Sequence, residues 1–234
     1  MCIRDSPDTG IITPPIVNVA SIYVANDLNS EITDTIELGI NDYIFNSLFS
    51  LSFFVTDTED EITLIESGVT NPAIKRWKYR NIGKTRRMGL ELQTEQYFDK
   101  LSLNQSLSLV NAKVLKGDSS ININKNDKIP MVPEMKITLG AKYSLTDRLS
   151  LLANYTYISE KEVRELDDKD NIKKFTIDSY GTIDLSTMYQ IDEYSNLKLG
   201  VKNLTSTKYN LRETSIEAFP APERNYFIEL SVKF

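Results

Sequence analysis

The sequence predicts an all-β protein whose strands form an antiparallel, up-and-down sheet that crosses a membrane. Three observations lead to this fold class. Apolar and polar residues alternate along many segments, the connections between those segments are alternately long and short, and aromatic residues gather near the segment ends. Alternation places apolar residues on one face of a strand, whereas a helix would mix the two residue classes.

The clearest alternation lies at residues 101–109, where four leucines and Gln105 alternate with Ser102, Asn104, Ser106 and Ser108. Similar patterns occupy 137–145, 149–157 (with Leu152 as an exception), 183–191, 195–204 and 226–234. Earlier segments fit less well, namely 16–24, 34–43, 47–57 and 84–97. Period-2 alternation is typical of strands, so we predict about ten strands and find no convincing helix.

The connections alternate in length along the whole chain. The long ones are 25–33, 58–83, 115–133, 159–175 and 205–223, and the short ones are 43–47, 97–100, 145–148 and 191–195. Outer-membrane barrels have short periplasmic turns and long extracellular loops, whereas a soluble sandwich has no physical reason to alternate. On this basis the last strand runs from the extracellular side to the periplasm.

Aromatic residues lie at many predicted strand ends. The chain contains twelve Tyr, nine Phe and one Trp. Those near strand ends include Tyr43, Phe45, Tyr97, Phe98, Tyr143, Tyr157, Tyr180, Tyr189, Tyr194, Tyr209 and Tyr226. We interpret them as girdles at the two membrane interfaces. The alternative is the ordinary preference of aromatic residues for strands.

Composition excludes several classes of function. The chain has no stretch of about 18–20 apolar residues that would form a transmembrane helix, and its mean hydropathy is −0.30. A net charge of −6 argues against a nucleic-acid binder. Histidine is absent and Cys2 is the only cysteine, which removes histidine-dependent catalysis and cysteine-rich metal sites. We therefore predict no enzyme, no catalytic residue, no metal site and no cofactor.

The N-terminus lacks a secretory signal, because MCIRDS has no charged region followed by an apolar one. An outer-membrane protein is exported, so we expect the chain to be a fragment. Residues 1–13 are predicted to be a non-native or unassigned segment, and residues 14–234 to be barrel.

Five segments resemble the β-barrel of TonB-dependent receptors, over roughly residues 28–234. They are NSEITDTIELGI (29–40), NIGKTRRMGLELQTEQYF (81–98, with Asn81, Gly83, Gly89 and Glu91 in place), IPMVPEMKITLGAKY (129–143), the pair SYGTIDLSTMYQI and NLKLGVKNLTSTKYN (179–210), and PAPERNYFIELSVKF (220–234). The chain departs from the family pattern after Asn203 and Leu204, where the usual Phe and Asp are absent, and at Glu223, which replaces a Gly before Arg224.

The resemblance implies a barrel of about 22 strands with a lumen blocked by an N-terminal plug, of which this chain supplies the C-terminal part. It implies TonB-energised uptake of a nutrient complex across the bacterial outer membrane, most often a ferric siderophore or another iron chelate. The implied partners are the outer membrane and its lipopolysaccharide, the TonB complex acting through a plug and TonB box outside this chain, the barrel-assembly machinery and a small-molecule ligand.

A basic and aromatic run is the candidate ligand-binding segment. It consists of Lys75, Arg76, Trp77, Lys78, Tyr79 and Arg80. Cationic groups attract an anionic chelate, and the aromatic rings stack on it. The alternative is a solvated loop base, or one that contacts lipopolysaccharide phosphates. The acidic run at 165–170 is interpreted as a solvated loop, and Glu91 as an inward-facing structural residue.

The last strand carries a second candidate role. Its alternating residues are Tyr226, Ile228, Leu230, Val232 and Phe234. This terminal pattern resembles the signal that the barrel-assembly machinery reads; the alternative is an ordinary last strand.

Other functions remain open from the sequence. They are a passive porin-like or small complete barrel, a TonB-dependent importer of cobalamin, haem or glycan, an outer-membrane enzyme, and a soluble β adhesin or sandwich. A plug domain in the full gene would separate a receptor from a porin.

Overall fold

The computed structural model describes residues 21–23, 28–67, 76–117, 123–166, 172–213 and 218–233. Its strands are β1 (Ser21–Tyr23), β2 (Ile32–Ile44), β3 (Ser47–Glu59), β4 (Ile62–Ser67), β5 (Arg76–Asn81), β6 (Lys84–Tyr97), β7 (Leu101–Lys116), β8 (Met135–Ser144), β9 (Leu149–Ile158), β10 (Lys161–Leu166), β11 (Ile172–Ile177), β12 (Tyr180–Gln190), β13 (Ser195–Lys202), β14 (Asn210–Glu213), β15 (Ala218–Pro220) and β16 (Asn225–Val232). In these ranges, no helix is long and apolar enough to span a membrane.

Nine strands form one sheet in the order β16-β13-β12-β9-β8-β7-β6-β3-β2. Every neighbouring pair in it is antiparallel, and each strand pairs with the next sheet strand along the chain. This up-and-down arrangement confirms the predicted fold class. The outermost strands, β2 and β16, each have one neighbour among the described residues, so the sheet is not closed into a barrel.

The predicted alternation of connection length is confirmed from β2 onward; the predicted long connection at 25–33 does not join two strands of the nine-stranded sheet. Short turns at 45–46, 98–100, 145–148 and 191–194 share one edge of the sheet, which we call the turn edge. Long connections at 60–83, 117–134, 159–179 and 203–224 share the opposite edge, which we call the rim. Three of them contain hairpins of their own, β4–β5, β10–β11 and β14–β15, which the sequence did not indicate. Their strands are too short to show a convincing alternation.

The prediction that residues 16–24 form a strand of the sheet is wrong for its described part. Strand β1 pairs in parallel with β5, with Ser21 opposite Arg76 and Tyr23 opposite Lys78, in a separate three-stranded sheet with β4. The described sheet therefore has nine strands rather than about ten. A short apolar run has the same sequence pattern whether its strand belongs to the nine-stranded sheet or to a small sheet at the rim, because only the pairing partner distinguishes the two.

The two faces of the sheet differ in chemistry. Rows of directly paired residues are apolar on one face, such as Phe53, Leu90 and Leu109. The residues between them are mostly polar, and Glu91 lies on this polar face between Ser52 and Ser108. Leu152 is confirmed as an exception, since it pairs with polar-face Lys142 and Ser186. In a membrane barrel the apolar face meets lipid.

The aromatic residues divide between the faces. Register places Tyr143, Tyr157, Tyr189 and Tyr226 on the apolar face, where a girdle requires them. Three others lie in register with the polar face, namely Tyr43, Tyr97 and Tyr180. The girdle interpretation therefore fits only part of the predicted set.

Buried side chains concentrate at the rim. The buried apolar residues are Ile82, Ala112, Val114, Ile123, Ile129, Val163, Ile177 and Ala221. Segment 123–129 pairs with the rim end of β7, where Val114 donates its N–H to Asp127 and Ile129 donates to Ala112. The small core thus fastens the long connections to the ends of the strands.

Candidate functional site

The rim is the candidate functional site, because three hairpins and the predicted binding segment meet the sheet there. Its first junction is organised by Asn81, at the end of β5. The Asn81 side chain accepts a hydrogen bond from the Asn29 N–H (2.9 Å) and donates Nδ2–H to the Asn29 carbonyl (3.0 Å) and the Asp60 carbonyl. One amide therefore joins the segment before β2, the connection after β3 and the hairpin β4–β5.

A buried carboxylate lies directly below this junction. Glu61 is 8% exposed. Its oxygens accept hydrogen bonds from both terminal nitrogens of Arg87, at 2.9 and 2.6 Å, and from the Thr85 hydroxyl. Burial by itself raises the pKa of Glu61, but the bonds from Arg87 and Thr85 outweigh it and hold the pKa below the usual value. The carboxylate is therefore charged and paired, as buried charges generally are.

Gly83 completes the junction. Its φ is +93°, and a Cβ there would lie 2.2 Å from the Lys116 carbonyl oxygen. Its own carbonyl accepts the Glu61 N–H at 3.1 Å. Gly89 lies beneath the Phe54 ring, where a side chain would collide with it. The hydrogen bonds of Asn81, the positive φ of Gly83 and this close contact at Gly89 thus explain three positions of the family-like motif.

We expect Gly83→Ala to destabilise the barrel by roughly 1–3 kcal/mol, because alanine disfavours this backbone conformation and its methyl group meets main-chain atoms. Gly39→Ala is the matched control, since its Cβ would meet only ordinary contacts at 3.5 Å. The temperature at which the folded band disappears on unheated SDS gels measures the effect. Equal midpoints for the two variants would contradict the assignment.

The predicted binding segment lies on the hairpin that this junction anchors. Lys75 lies outside the described residues, while Arg76–Asn81 form β5, paired with β4 on one side and β1 on the other. Basic positions 76, 78 and 80 alternate with aromatic positions 77 and 79 along the strand. The structure thus places the segment at the rim as a strand in a small sheet, and its ligand-binding role stays a prediction.

A second junction links the connection 117–134 to the hairpin β10–β11. Arg164 bonds the Glu162 carboxylate (2.7 Å) and the Lys128 carbonyl, and it lies 3.5 Å from an Asp127 oxygen. Asp127 also accepts bonds from Lys174 Nζ (2.7 Å) and the Asn124 N–H (2.9 Å). Two long connections are therefore fastened to each other as one unit. The acidic run begins with the last two residues of β10, and residues 167–170 lie outside the described residues.

We expect this junction to loosen in acid. Burial raises the pKa of Asp127, but the bonds from Lys174 and Asn124 and the charge of Arg164 lower it more, so the pKa lies below its usual 3.8. A carboxyl group whose pKa is lowered by folding stabilises the folded state at any pH above its pKa in the unfolded chain. This stabilisation is lost as the pH falls through the pKa of the folded state. Hydrogen exchange of segments 123–134, 161–166 and 172–177, corrected for intrinsic rates, should rise below about pH 4 in the native protein. Asp127→Asn should remove that acid step; a step of unchanged size in this variant would contradict the prediction.

A third junction holds the connection between β13 and β16. Asn203, 4% exposed and with a φ of +51°, accepts the Thr207 N–H (2.9 Å) and donates to the Thr207 carbonyl (2.8 Å). Its own N–H donates to Asp184 at 2.8 Å. Nearby, the rings of Tyr180 and Tyr209 stack with centroids 3.8 Å apart.

The last strand has the predicted alternation. Tyr226, Ile228, Leu230 and Val232 pair with apolar-face residues of β13, and they are exposed on that face. Phe234 lies outside the described residues. The role of these five residues in barrel assembly stays a prediction.

Several solved structures share this fold. The ferric-catecholate import receptor Fiu from E. coli K12 has a TM-score of 0.65 and 20% identity, over 90% of this chain and 29% of its own. The copper transporter OprC has a TM-score of 0.71 and 17% identity, over 89% of this chain and 32% of its own. A ferric enterobactin receptor, PfeA from Pseudomonas aeruginosa, has a TM-score of 0.69 and 19% identity, over 91% of this chain and 33% of its own. The chain thus spans about a third of the length of these structures.

A family model described as "TonB dependent receptor-like, beta-barrel" matches residues 7–204. The match includes eight of the nine sheet strands, β2 to β13, and the first two rim junctions described above; of the third it includes Asn203 but not Thr207 or Tyr209. The barrels of this family lie in the bacterial outer membrane, which agrees with the apolar face and the alternating connections. The chain therefore belongs to the TonB-dependent receptor-like β-barrel family.

Proposed function

We propose that this chain forms the C-terminal part of the barrel of a receptor that imports a nutrient complex across the outer membrane. The observation that carries the proposal is the family match over residues 7–204. The structured rim supports it, because a binding surface requires loops that are held in place, and three junctions hold the loops here. The solved relatives are described as receptors or transporters rather than as enzymes.

The proposed ligand is an iron chelate, with a ferric siderophore as the first candidate. Two of the three solved relatives are described as ferric-chelate receptors. A chelate brings its own metal ligands, so the barrel needs only charge and aromatic surface to bind it. This chain has no histidine and one cysteine, and it carries the basic and aromatic strand β5 at the rim. Copper, cobalamin, haem and glycan are the alternatives within the family.

The proposed partners follow from membership of the family. Energy would come from the TonB complex through a plug and TonB box outside this chain. Lipopolysaccharide would meet the rim half of the apolar face, and the barrel-assembly machinery would read the last strand through Phe234. A passive porin-like barrel is the competing function.

Energy coupling separates the receptor from the porin. Cells that depend on the full-length protein for a ferric siderophore as sole iron source should grow only when TonB is present. Growth that persists without TonB would indicate passive passage and contradict the proposal. The measurement is uptake of radiolabelled iron with each siderophore in paired strains.

The β5 segment is tested separately. Lys75→Gln with Lys78→Gln in the full-length receptor should weaken binding of an anionic ferric siderophore by about tenfold, since two attracting charges are lost. Lys125→Gln with Lys208→Gln removes the same charge elsewhere on the rim and should leave binding unchanged. Equal losses in the two double variants would show that only overall charge matters.

A further inference from the structure

An apolar groove crosses the lipid-facing side of the sheet, from residues near the turn edge on β8 and β9 to residues near the rim ends of β13 and β16. Strands β8, β9, β12, β13 and β16 all contribute to it, through residues that include Ala141, Tyr143, Leu151, Ala153, Leu199 and Ile228. Its volume is about 700 Å³, within the range of about 300–1,000 Å³ that is typical of ligand sites. The groove is therefore a local depression in a surface that otherwise carries large apolar side chains.

Sequence explains the depression. Ala141 on β8 pairs directly with Ala153 on β9, so two methyl side chains lie next to each other. The adjacent row toward the turn edge is bulky, since Tyr143 pairs with Leu151. From β8 to β16 the groove crosses four strand spacings of about 4.8 Å, or about 19 Å. A slot of this length fits an extended hydrocarbon chain better than a compact molecule.

Charged turns lie beyond the groove at the turn edge. Turn 98–100 contacts the end of β8, where Ser144 donates its N–H to the Lys100 carbonyl at 2.8 Å. Turn 145–148 contacts β12, where Gln190 donates to the Arg148 carbonyl at 2.8 Å. The Lys100 and Arg148 side chains are exposed and have no carboxylate within 4 Å among the described residues.

Each of these cations follows an acidic residue, Asp99 before Lys100 and Asp147 before Arg148. Both carboxylates are exposed as well. The turn edge therefore offers positive and negative groups side by side. A headgroup with both a phosphate and an ammonium matches this arrangement, whereas a purely anionic headgroup would also meet the two carboxylates.

We propose that the groove binds one acyl chain of a zwitterionic aminophospholipid, with its phosphate on Arg148 and Lys100 and its ammonium toward Asp147 and Asp99. Arg148 precedes Leu151 by three residues, or roughly 10 Å of strand. That distance places the cation in the headgroup layer while Leu151 contacts the hydrocarbon chain. The headgroup site is separate from the proposed ligand-binding segment, because Lys100 and Arg148 lie in turns at the turn edge, whereas strand β5 belongs to a hairpin at the rim.

Native mass spectrometry of the full-length receptor tests the site. The delipidated protein in detergent receives either dioleoyl phosphatidylethanolamine or dioleoyl phosphatidylglycerol. Ala153→Phe fills the groove, and Arg148→Gln removes a phosphate contact from an exposed turn. Each should reduce retained phosphatidylethanolamine by about tenfold, the effect of losing one good contact.

Two matched variants serve as controls. Leu92→Phe adds a similar ring to the apolar face of β6, where Leu92 pairs with Leu51 and Leu107 outside the groove. Lys125→Gln removes a cation at the rim. Both should retain the lipid as the native protein does. Equal retention by all five proteins, or phosphatidylglycerol retained as strongly as phosphatidylethanolamine, would overturn the proposal. Should Ala153→Phe fail to fold, Arg148→Gln alone still decides between these outcomes.

Discussion

Replacing Arg87 with alanine is expected to destabilise the barrel by about 2–4 kcal/mol, because it leaves the Glu61 carboxylate buried without its cation. The Arg87 side chain keeps 30% exposure, so the loss should fall somewhat below that of a fully buried ion pair. The Thr85 hydroxyl remains as a partner, but it carries no charge. A fall in the temperature at which the folded band is lost on unheated SDS gels measures the effect.

Arg86 is the matched control for this experiment. It forms a bidentate pair with Asp57, at 2.6 and 2.7 Å, one residue along the same strand. Its side chain is 43% exposed, and exposed pairs contribute about 0–1 kcal/mol. Arg86→Ala should therefore lower the midpoint much less than Arg87→Ala. Equal midpoints would show that burial of Glu61 has no energetic weight.

Asn203→Ala is expected to free the connection between β13 and β16 from the sheet. The substitution deletes both side-chain bonds to Thr207 and leaves partly buried main-chain groups without these partners, at about 1–3 kcal/mol. Alanine also disfavours the positive φ that asparagine tolerates. Trypsin should then cleave faster after Lys208 and Arg212, as followed by mass spectrometry of the fragments.

Asn203→Gly separates the two causes. Glycine adopts the positive φ without strain but lacks the amide. If the hydrogen bonds hold the connection, the glycine variant should be cleaved nearly as fast as the alanine variant. Cleavage at the native rate in Asn203→Gly would assign the effect to backbone conformation alone. Asn210→Ala, which removes a bond to Glu213 within β14, controls for general loosening.

The strands of the nine-stranded sheet were predictable because each face of such a strand meets the same surroundings along its whole length. Lipid on one side and polar surroundings on the other impose alternation over segments as long as Leu101–Lys116, and that pattern is visible without pairing partners. Rim strands such as β1 and β10 have three and six residues and no such constraint. Their existence depends on pairing with segments that are distant in sequence.

The rim junctions were hidden for a related reason. Glu61 looks like a solvated loop residue in the sequence, and only its meeting with Arg87 from another strand shows that it is buried and paired. Asp127 and Arg164 are likewise distant in sequence and adjacent in the structure. Asn81 and Gly83 were visible through the family-like motif, but their hydrogen bonds and backbone conformation depend on segments that are distant in sequence.

Strands β2 and β16, at the two borders of the sheet, both run from the rim to the turn edge. Nine strands is an odd number, so joining these borders directly would make a parallel seam in an otherwise antiparallel wall. Closure with antiparallel neighbours throughout takes an odd number of additional strands. Without such strands, the unpaired main-chain amides and carbonyls of β2 and β16 would face hydrocarbon, and each unsatisfied group would cost several kcal/mol of free energy. We therefore expect this sheet to enter the bilayer only together with further strands that pair with β2 and β16, so the unit of membrane insertion is larger than these nine strands.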